Sequence, residues 1–361
     1  MKYELVCTKC GNVEVESAFR CGRCGAILEV KIDYDGVELG KRFVRERPRS
    51  SKYLPLFPIN GFHIKSDEGG TSLVRKRIGS DRIMLKLETE NPTGSFKDRG
   101  SSVEMNRALE LGAKSVCCAS TGNMGISVAR YARMAGVRAT IFVGRDANTR
   151  KMEMIKRHGA GLVKVDGDFN ASIRKAEEFA RRTGAFMCGD YHFRKEGQKS
   201  VMFEIIDQIG RGVPDFVFLP VGNSTLLAGM YKALMEYRRF KLIRELPRLV
   251  AVQSERCDPL VNAYNSGKNI EYTVPRTAAD AIAVGYPTFG LEGINALGKT
   301  RGMALKVSED QMKDSVVMLG EIGIEAEMGG AAGFAGYIKL YEKNSEKLRN
   351  KRVVIVVTGK N

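Results

Sequence analysis

Apolar positions along the chain follow two periods in turn. Short runs rich in Val, Ile, Leu, Phe and Cys at 83–87, 115–119, 139–143, 161–165, 216–221, 249–252 and 353–357 read as strands. Segments with helical spacing lie between them, for example Ile173, Ala176 and Ala180 within 171–182. Strand and helix in repeated alternation predict an α/β fold of open, twisted parallel sheets covered by helices. In such folds ligands sit beyond the carboxyl ends of strands, where loops feed helix N-termini, so chemistry is to be sought at those junctions. The sequence shows no internal repeat and no low-complexity tract.

A length of 361 residues suits two domains with a small appendage. No apolar run reaches the ~18–20 residues of a membrane helix, which excludes a spanning segment of that kind. The first residues lack the apolar stretch of a secretory signal, so the sequence predicts a cytoplasmic protein. The net charge of +16 is compatible with nucleic acid, a membrane surface, acidic small molecules or simply a solvated basic surface, and decides nothing alone. Residues 41–52 hold six cations but Phe43 is their one aromatic, apart from which no ring interleaves; the stretch reads as a solvated connector.

Four of the eight cysteines form Cys7-x2-Cys10 and Cys21-x2-Cys24, each pair followed by glycine, Gly11 and Gly25. Two residues between ligands let one tight turn aim two thiolates at a metal, and two such turns complete an all-thiolate structural zinc site. Two disulfides or four free thiols are the alternatives, the former disfavoured without an export signal. Cys117, Cys118, Cys188 and Cys257 lack ligand spacing and read as core or pocket-wall residues.

Three strand-to-helix junctions carry unusual residues. Ser120-Thr121-Gly122-Asn123-Met124-Gly125 leaves backbone N–H groups open to an anion. Pro220-Val221-Gly222-Asn223-Ser224-Thr225 forms a second such cradle, of phosphate size. The third, Asn91-Pro92-Thr93-Gly94-Ser95-Phe96-Lys97-Asp98-Arg99-Gly100, has turn residues, a possible capping Ser95, and Lys97 in the first helical turn. The positive end of the helix dipole favours the neutral, nucleophilic amine that a Schiff-base lysine needs, while a surface lysine pointing away is the alternative.

These segments, with Glu196-Gly197-Gln198-Lys199, resemble the threonine synthases, which are fold type II (tryptophan synthase β-like) pyridoxal-phosphate enzymes. Glu68-Gly69-Gly70-Thr71-Ser72-Leu73-Val74, Ala279-Asp280-Ala281-Ile282 and Val357-Thr358-Gly359 extend the likeness, in order, over about 68–359. The resemblance implies a zinc-ribbon-like segment at 1–35, a larger cofactor domain from 36–90 plus 195–361, and a smaller domain at 91–194. It implies that Lys97 carries pyridoxal phosphate as a Schiff base and moves protons once released. By the same likeness Asn123 bonds the phenolic oxygen, and Ser120, Thr121 and Gly122 receive the substrate carboxylate. Gly222, Asn223, Ser224 and Thr225 would cradle the cofactor phosphate, and Thr358 would meet the pyridine nitrogen. A hydroxyl there leaves the ring a weaker electron sink, suited to elimination and replacement.

Substrate recognition departs from the family pattern. Met124 follows Asn123 where relatives carry a hydroxyl, and Cys188-Gly189 replaces an Asn-Ser pair that helps hold the substrate phosphate. Arg194 is retained as a phosphate ligand by motif position, with Lys199 or a nearby basic residue partly replacing the missing donors. The leading expectation is conversion of O-phosphohomoserine and water to threonine and phosphate. Alternatives are β-replacement on O-phosphoserine (cysteate or cysteine synthesis) and a serine/threonine dehydratase. A zinc-ribbon nucleic-acid-binding protein would leave the lysine motif unexplained. A small amino-acid substrate, no nucleic-acid or membrane partner and a homodimer complete the expectation.

Overall fold

The computed structural model describes residues 2–39, 49–79, 81–120, 122–145, 148–167, 169–210 and 212–361. Of the basic connector, 41–48 lie outside these residues, as does Thr121. Two compact units divide at Phe96/Lys97 and Gln198/Lys199. The smaller also takes in residues 2–37 and Arg49–Glu68, whereas the sequence reading put 49–68 with the larger and divided the chain at 90/91 and 194/195. The later first boundary has a local cause: Ser95 bridges Gly359, and the N–H of Phe96 donates to the Thr358 carbonyl at 3.0 Å.

The chain begins with a three-stranded antiparallel ribbon, β1 (Tyr3–Cys7), β2 (Val13–Glu14) and β3 (Leu28–Ile32), in the order β2-β1-β3. Too small to bury a core alone, its Leu5, Leu28 and Val30 pack with Phe193, a residue supplied much later in the same unit. The next strands, β4 (Leu73–Ile78) and β5 (Asp81–Leu87), belong to the larger unit.

In the smaller unit β6 (Ser115–Ala119), β7 (Arg138–Val143), β8 (Gly161–Lys164) and β9 (Phe186–Met187) form a parallel sheet in the order β8-β7-β6-β9. It is covered by α1 (Lys97–Glu110), α2 (Asn123–Ala135), α3 (Thr149–Arg157), α4 (Phe169–Thr183) and α5 (His192–Gln198). The 3.6-residue stripe predicted for α4 is the one that Ala176 and Ala180 bury against Cys117 and Phe142. Helices α1 and α5 meet backbone to backbone. A Cβ on Gly197 would lie 2.1 Å from the Arg99 carbonyl oxygen, so only glycine fits the crossing.

The larger unit adds β10 (Phe216–Pro220), β11 (Arg248–Ser254), β12 (Met303–Val307) and β13 (Val353–Val357), giving the order β12-β11-β10-β13-β5-β4. All pairs are parallel except β4 with β5. Helices α6 (Ser200–Ile209), α7 (Thr225–Arg239), α8 (Pro259–Ser266), α9 (Gly290–Lys299), α10 (Glu309–Glu321) and α11 (Met328–Lys343) complete it. Central strands such as β13, Val-Val-Ile-Val-Val, are buried on both faces and were legible as continuous apolar runs. The edge strands β4 and β12 escaped because cations interrupt their apolar pattern and they are half-buried. The chain proceeds outward from β10 to β12 on one side while β13 and β5 lie on the other, so the switch point falls between β10 and β13. A ligand crevice is expected at the carboxyl ends there.

Candidate active site

Lys97 is the first residue of α1, where the sequence put it, and its side chain is 16% exposed. Ser95 does not cap the helix: its backbone bridges Gly359, and its buried Oγ has no hydrogen-bond partner among the described residues. Burial is the main influence on the Lys97 amine and holds it below 10.5, with the Asp190 carboxylate pulling upward and the Arg194 guanidinium downward. Asp190 Oδ1 lies 4.0 Å from Lys97 Nζ. That carboxylate was not singled out from the sequence, although it sits four residues before Arg194 in a segment already marked as unusual.

The loop after β6 is organised by Ser120, whose Oγ accepts from the N–H groups of Gly122 at 3.2 Å and Gly125 at 2.9 Å. Asn123 opens α2, and α2 is tied to α1 by Ser127 Oγ, which donates to Asp98 Oδ1 at 2.6 Å. A Cβ on Gly125 would meet Ile155 at 2.9 Å, so glycine lets α3 close against this turn. Lys151, 4% exposed in the first turn of α3, places its Nζ 3.7 Å from where a Cβ on Gly122 would be. A nearly buried ammonium beside the loop expected to take a carboxylate is a candidate functional feature that the sequence did not single out. It was hidden among the many other cations of 145–157.

Arg194, expected as a phosphate ligand, is engaged within its own unit. Its side chain is 0% exposed and its donors are spent internally: Nε to the Gly189 carbonyl at 3.1 Å, Nη1 to the Lys97 carbonyl at 3.1 Å, and Nη2 to Ser101 Oγ at 3.0 Å and to the Glu104 carboxylate. Glu104 also accepts from the Gly189 N–H at 2.8 Å. The pair thereby fixes the turn before Asp190, with Gly189 at φ +140°. Burial pushes the Glu104 carboxyl up to about 7, against the pull of Arg194 and the Gly189 N–H. A guanidinium so committed positions this turn, and its described hydrogen bonds all stay inside the unit. Lys199 is likewise engaged: fully buried in the larger unit, its Nζ donates to Glu236 Oε1 at 2.9 Å.

In the larger unit, the cradle expected at Gly222, Asn223, Ser224 and Thr225 lies beyond the carboxyl end of β10 and opens α7. Ser224 is held at φ +65°, and its buried Oγ has no hydrogen-bond partner among the described residues. An L-residue in that conformation with an unspent hydroxyl, at the N-terminus of a 15-residue helix, fits a phosphate acceptor. Asn223 Oδ1 is held by the N–H and Oγ1 of Thr288, both at 3.2 Å, and a Cβ on Gly222 would press to 3.2 Å from Ile282. Thr358 is buried just past β13, on the other side of the switch point.

At the N-terminus, the Sγ atoms of Cys7, Cys10, Cys21 and Cys24 all lie within 4.8 Å of one another. The contacts Cys7–Cys24 at 3.4 Å and Cys10–Cys21 at 3.6 Å are far beyond a disulfide bond and near the ~3.8 Å edge of a tetrahedron with ~2.3 Å metal–sulfur distances. Gly11 and Gly25 both take φ +71°, closing the two knuckles, and the N–H groups of Lys9 and Cys10 point at Cys7 Sγ. The other four cysteines are buried, as expected of core residues. No described helix is long and apolar enough to cross a membrane.

The sequence and fold match known proteins over most of their length. A family model described as pyridoxal-phosphate dependent enzyme matches residues 64–359. The threonine synthase of Methanosarcina acetivorans is 32% identical, with 99% of this chain and 91% of that protein aligned. That of Methanocaldococcus jannaschii is also 32% identical, over 98% and 91%. In structure, a maize serine racemase superposes with a TM-score of 0.70 at 22% identity, covering 80% of this chain and 88% of that one, a likeness of fold.

Proposed function

This chain belongs to the pyridoxal-phosphate dependent enzymes and, within them, to the threonine synthase family, and from that premise we propose that it converts O-phosphohomoserine and water to threonine and phosphate. The observation that carries the reading is Lys97, a nearly buried lysine at a helix start whose amine is held toward its neutral form. When bound, pyridoxal phosphate supplies an electron sink that lets protons leave an amino acid's carbons. The protein's own part is then binding, orientation and proton movement. Gly222 to Thr225 would hold the cofactor phosphate, with the Ser224 hydroxyl as a donor, and Thr358 would offer a hydroxyl at the ring nitrogen. Asn123 would bond the phenolic oxygen, and Ser120 and Gly122, with Thr121 between them, would take the substrate carboxylate. The Lys97 amine would shuttle protons between substrate carbons. A phosphate-release and amino-acid product assay on O-phosphohomoserine, with O-phosphoserine and unphosphorylated serine and threonine beside it, tests the assignment. Threonine from O-phosphohomoserine supports it; phosphate released without threonine, or turnover of serine alone, overturns it.

Lys151, whose Nζ lies beside the Gly122 turn, is assigned in this reading to the substrate's anionic groups. Lys151→Met is expected to raise KM for O-phosphohomoserine at least ~10-fold, about 1.4 kcal/mol, with the absorbance of bound cofactor unchanged. An unaltered KM would remove Lys151 from substrate binding.

Electrostatics give a further expectation. Among the described residues Asp190, Arg194, Glu104 and Cys118 act on Lys97, and the two carboxylates favour its charged form. Imine formation needs the neutral amine. Uptake of pyridoxal phosphate by the cofactor-free protein should therefore speed up as pH rises, with a midpoint below 10.5. Asp190→Asn removes a partner of the charged form, so its midpoint should move to lower pH. A shift upward, or none, would show that Asp190 does not act on the amine.

The same proposal assigns one structural zinc to Cys7, Cys10, Cys21 and Cys24. Metal analysis should find about one zinc per chain. Cys10→Ser should release it and increase hydrogen exchange over residues 2–32. Protein prepared without chelators that contains no zinc would contradict the assignment.

A further inference from the structure

We propose that the larger unit carries a second ligand site, for a small phosphoryl polyanion with an organic body, at the end of its sheet remote from the cofactor loops. A cavity of about 870 Å³ opens at the amino ends of β5 and β13, beside the C-terminus of α6. Its volume falls within the ~300–1,000 Å³ common for small-molecule sites. Gly222 to Thr225 and Thr358 lie at the carboxyl ends of the same sheet, so the two regions are separated by the length of the strands.

Charge in the cavity is one-sided. Arg75, Arg82, Lys351 and Arg352 line it, against the single carboxylate of Asp81. Lys351 has Asp215 at 4.0 Å, whereas the guanidinium groups of Arg75 and Arg82 have no carboxylate partner among the described residues. The strand register adds to the crowding, since Arg77 stands directly opposite Arg82 across β4 and β5. Like charges so paired are destabilising, and an anion that neutralises them would relieve the repulsion. Apolar surface is present too: Met84, which the register puts on the same face as Arg75 and Arg82, and Ile209 are half-buried in the lining. Low-dielectric walls beside several cations concentrate their field, and guanidinium groups match phosphoryl oxygens two at a time. An anion with an attached ring or chain uses both features; a bare monovalent ion would use neither well.

Calorimetric titration of the cofactor-loaded full-length protein with pyrophosphate and with ADP, at physiological salt, tests the site. The expected result is saturable 1:1 binding with Kd below ~1 mM, ADP tighter than pyrophosphate. Arg75→Ala with Arg82→Ala should weaken it at least tenfold. Both side chains are exposed, so the fold should survive, which thermal unfolding verifies. Lys175→Ala with Lys313→Ala removes the same charge from exposed helix pairs elsewhere and should leave binding intact. Equal weakening by both double variants would reduce the effect to net charge and overturn the proposal. So would the absence of saturable binding, or tighter capture of a short DNA duplex through the same two arginines.

Discussion

Replacing Lys97 with alanine should lower turnover by ~10³-fold or more, because one side chain serves both as cofactor anchor and as proton carrier. Borohydride treatment of the parent should fix the cofactor to this lysine and to no other, which peptide mass mapping reads directly. Lys97 is suited by position: it begins α1, is nearly buried, and faces a carboxylate 4.0 Å away that keeps a proton within reach. The alanine variant should still bind pyridoxal phosphate if the Gly222–Thr225 cradle supplies most of the hold. A label on another lysine, or near-parental turnover by Lys97→Ala, would remove the basis of the functional assignment.

Arg194→Met should cost about 3–5 kcal/mol of stability, the usual consequence of breaking a fully buried ion pair from one side. The variant leaves Glu104, 1% exposed, with the Gly189 N–H but without its guanidinium, and it frees the carbonyls of Lys97 and Gly189. Denaturant melts of the loaded enzyme measure the loss. The accompanying kinetic signature separates two roles. Because Arg194 holds the turn that bears Asp190, catalysis should fall alike on phosphorylated and unphosphorylated substrates. A defect confined to phosphorylated substrates would restore Arg194 as a phosphate ligand.

Each of the seven apolar runs marked from the sequence is a strand, and the three junctions stand at helix starts. Those features were legible because both depend on local pattern: continuous burial in β10 or β13, and small residues before an amphipathic helix. The task of Arg194 was less so. Motif position identifies a conspicuous arginine but not its partner, which lies ninety positions earlier. A hint was present, since Lys97, Ser101 and Glu104 share a face of α1 by helical spacing, and a glutamate on that face needs a cation. Gly100 and Gly197 carry the same lesson. In the sequence they look like parts of a catalytic signature, yet a Cβ on Gly100 would strike Arg194 Cγ at 2.6 Å and one on Gly197 the Arg99 carbonyl. Their restriction is steric.

The ribbon's dependence on Phe193 sets a schedule for the growing polypeptide. Its own strands are complete once Ile32 has been made, but the ring that covers Leu5, Leu28 and Val30 is encoded 161 positions later. At ~5–20 residues per second the wait is roughly 8–32 s. For that time the ribbon presents an uncovered apolar face, and on the proposed zinc assignment metal capture by its four thiols would hold it in register. If the proposed zinc is present, zinc starvation would injure the nascent chain on the ribosome before it touched the finished enzyme.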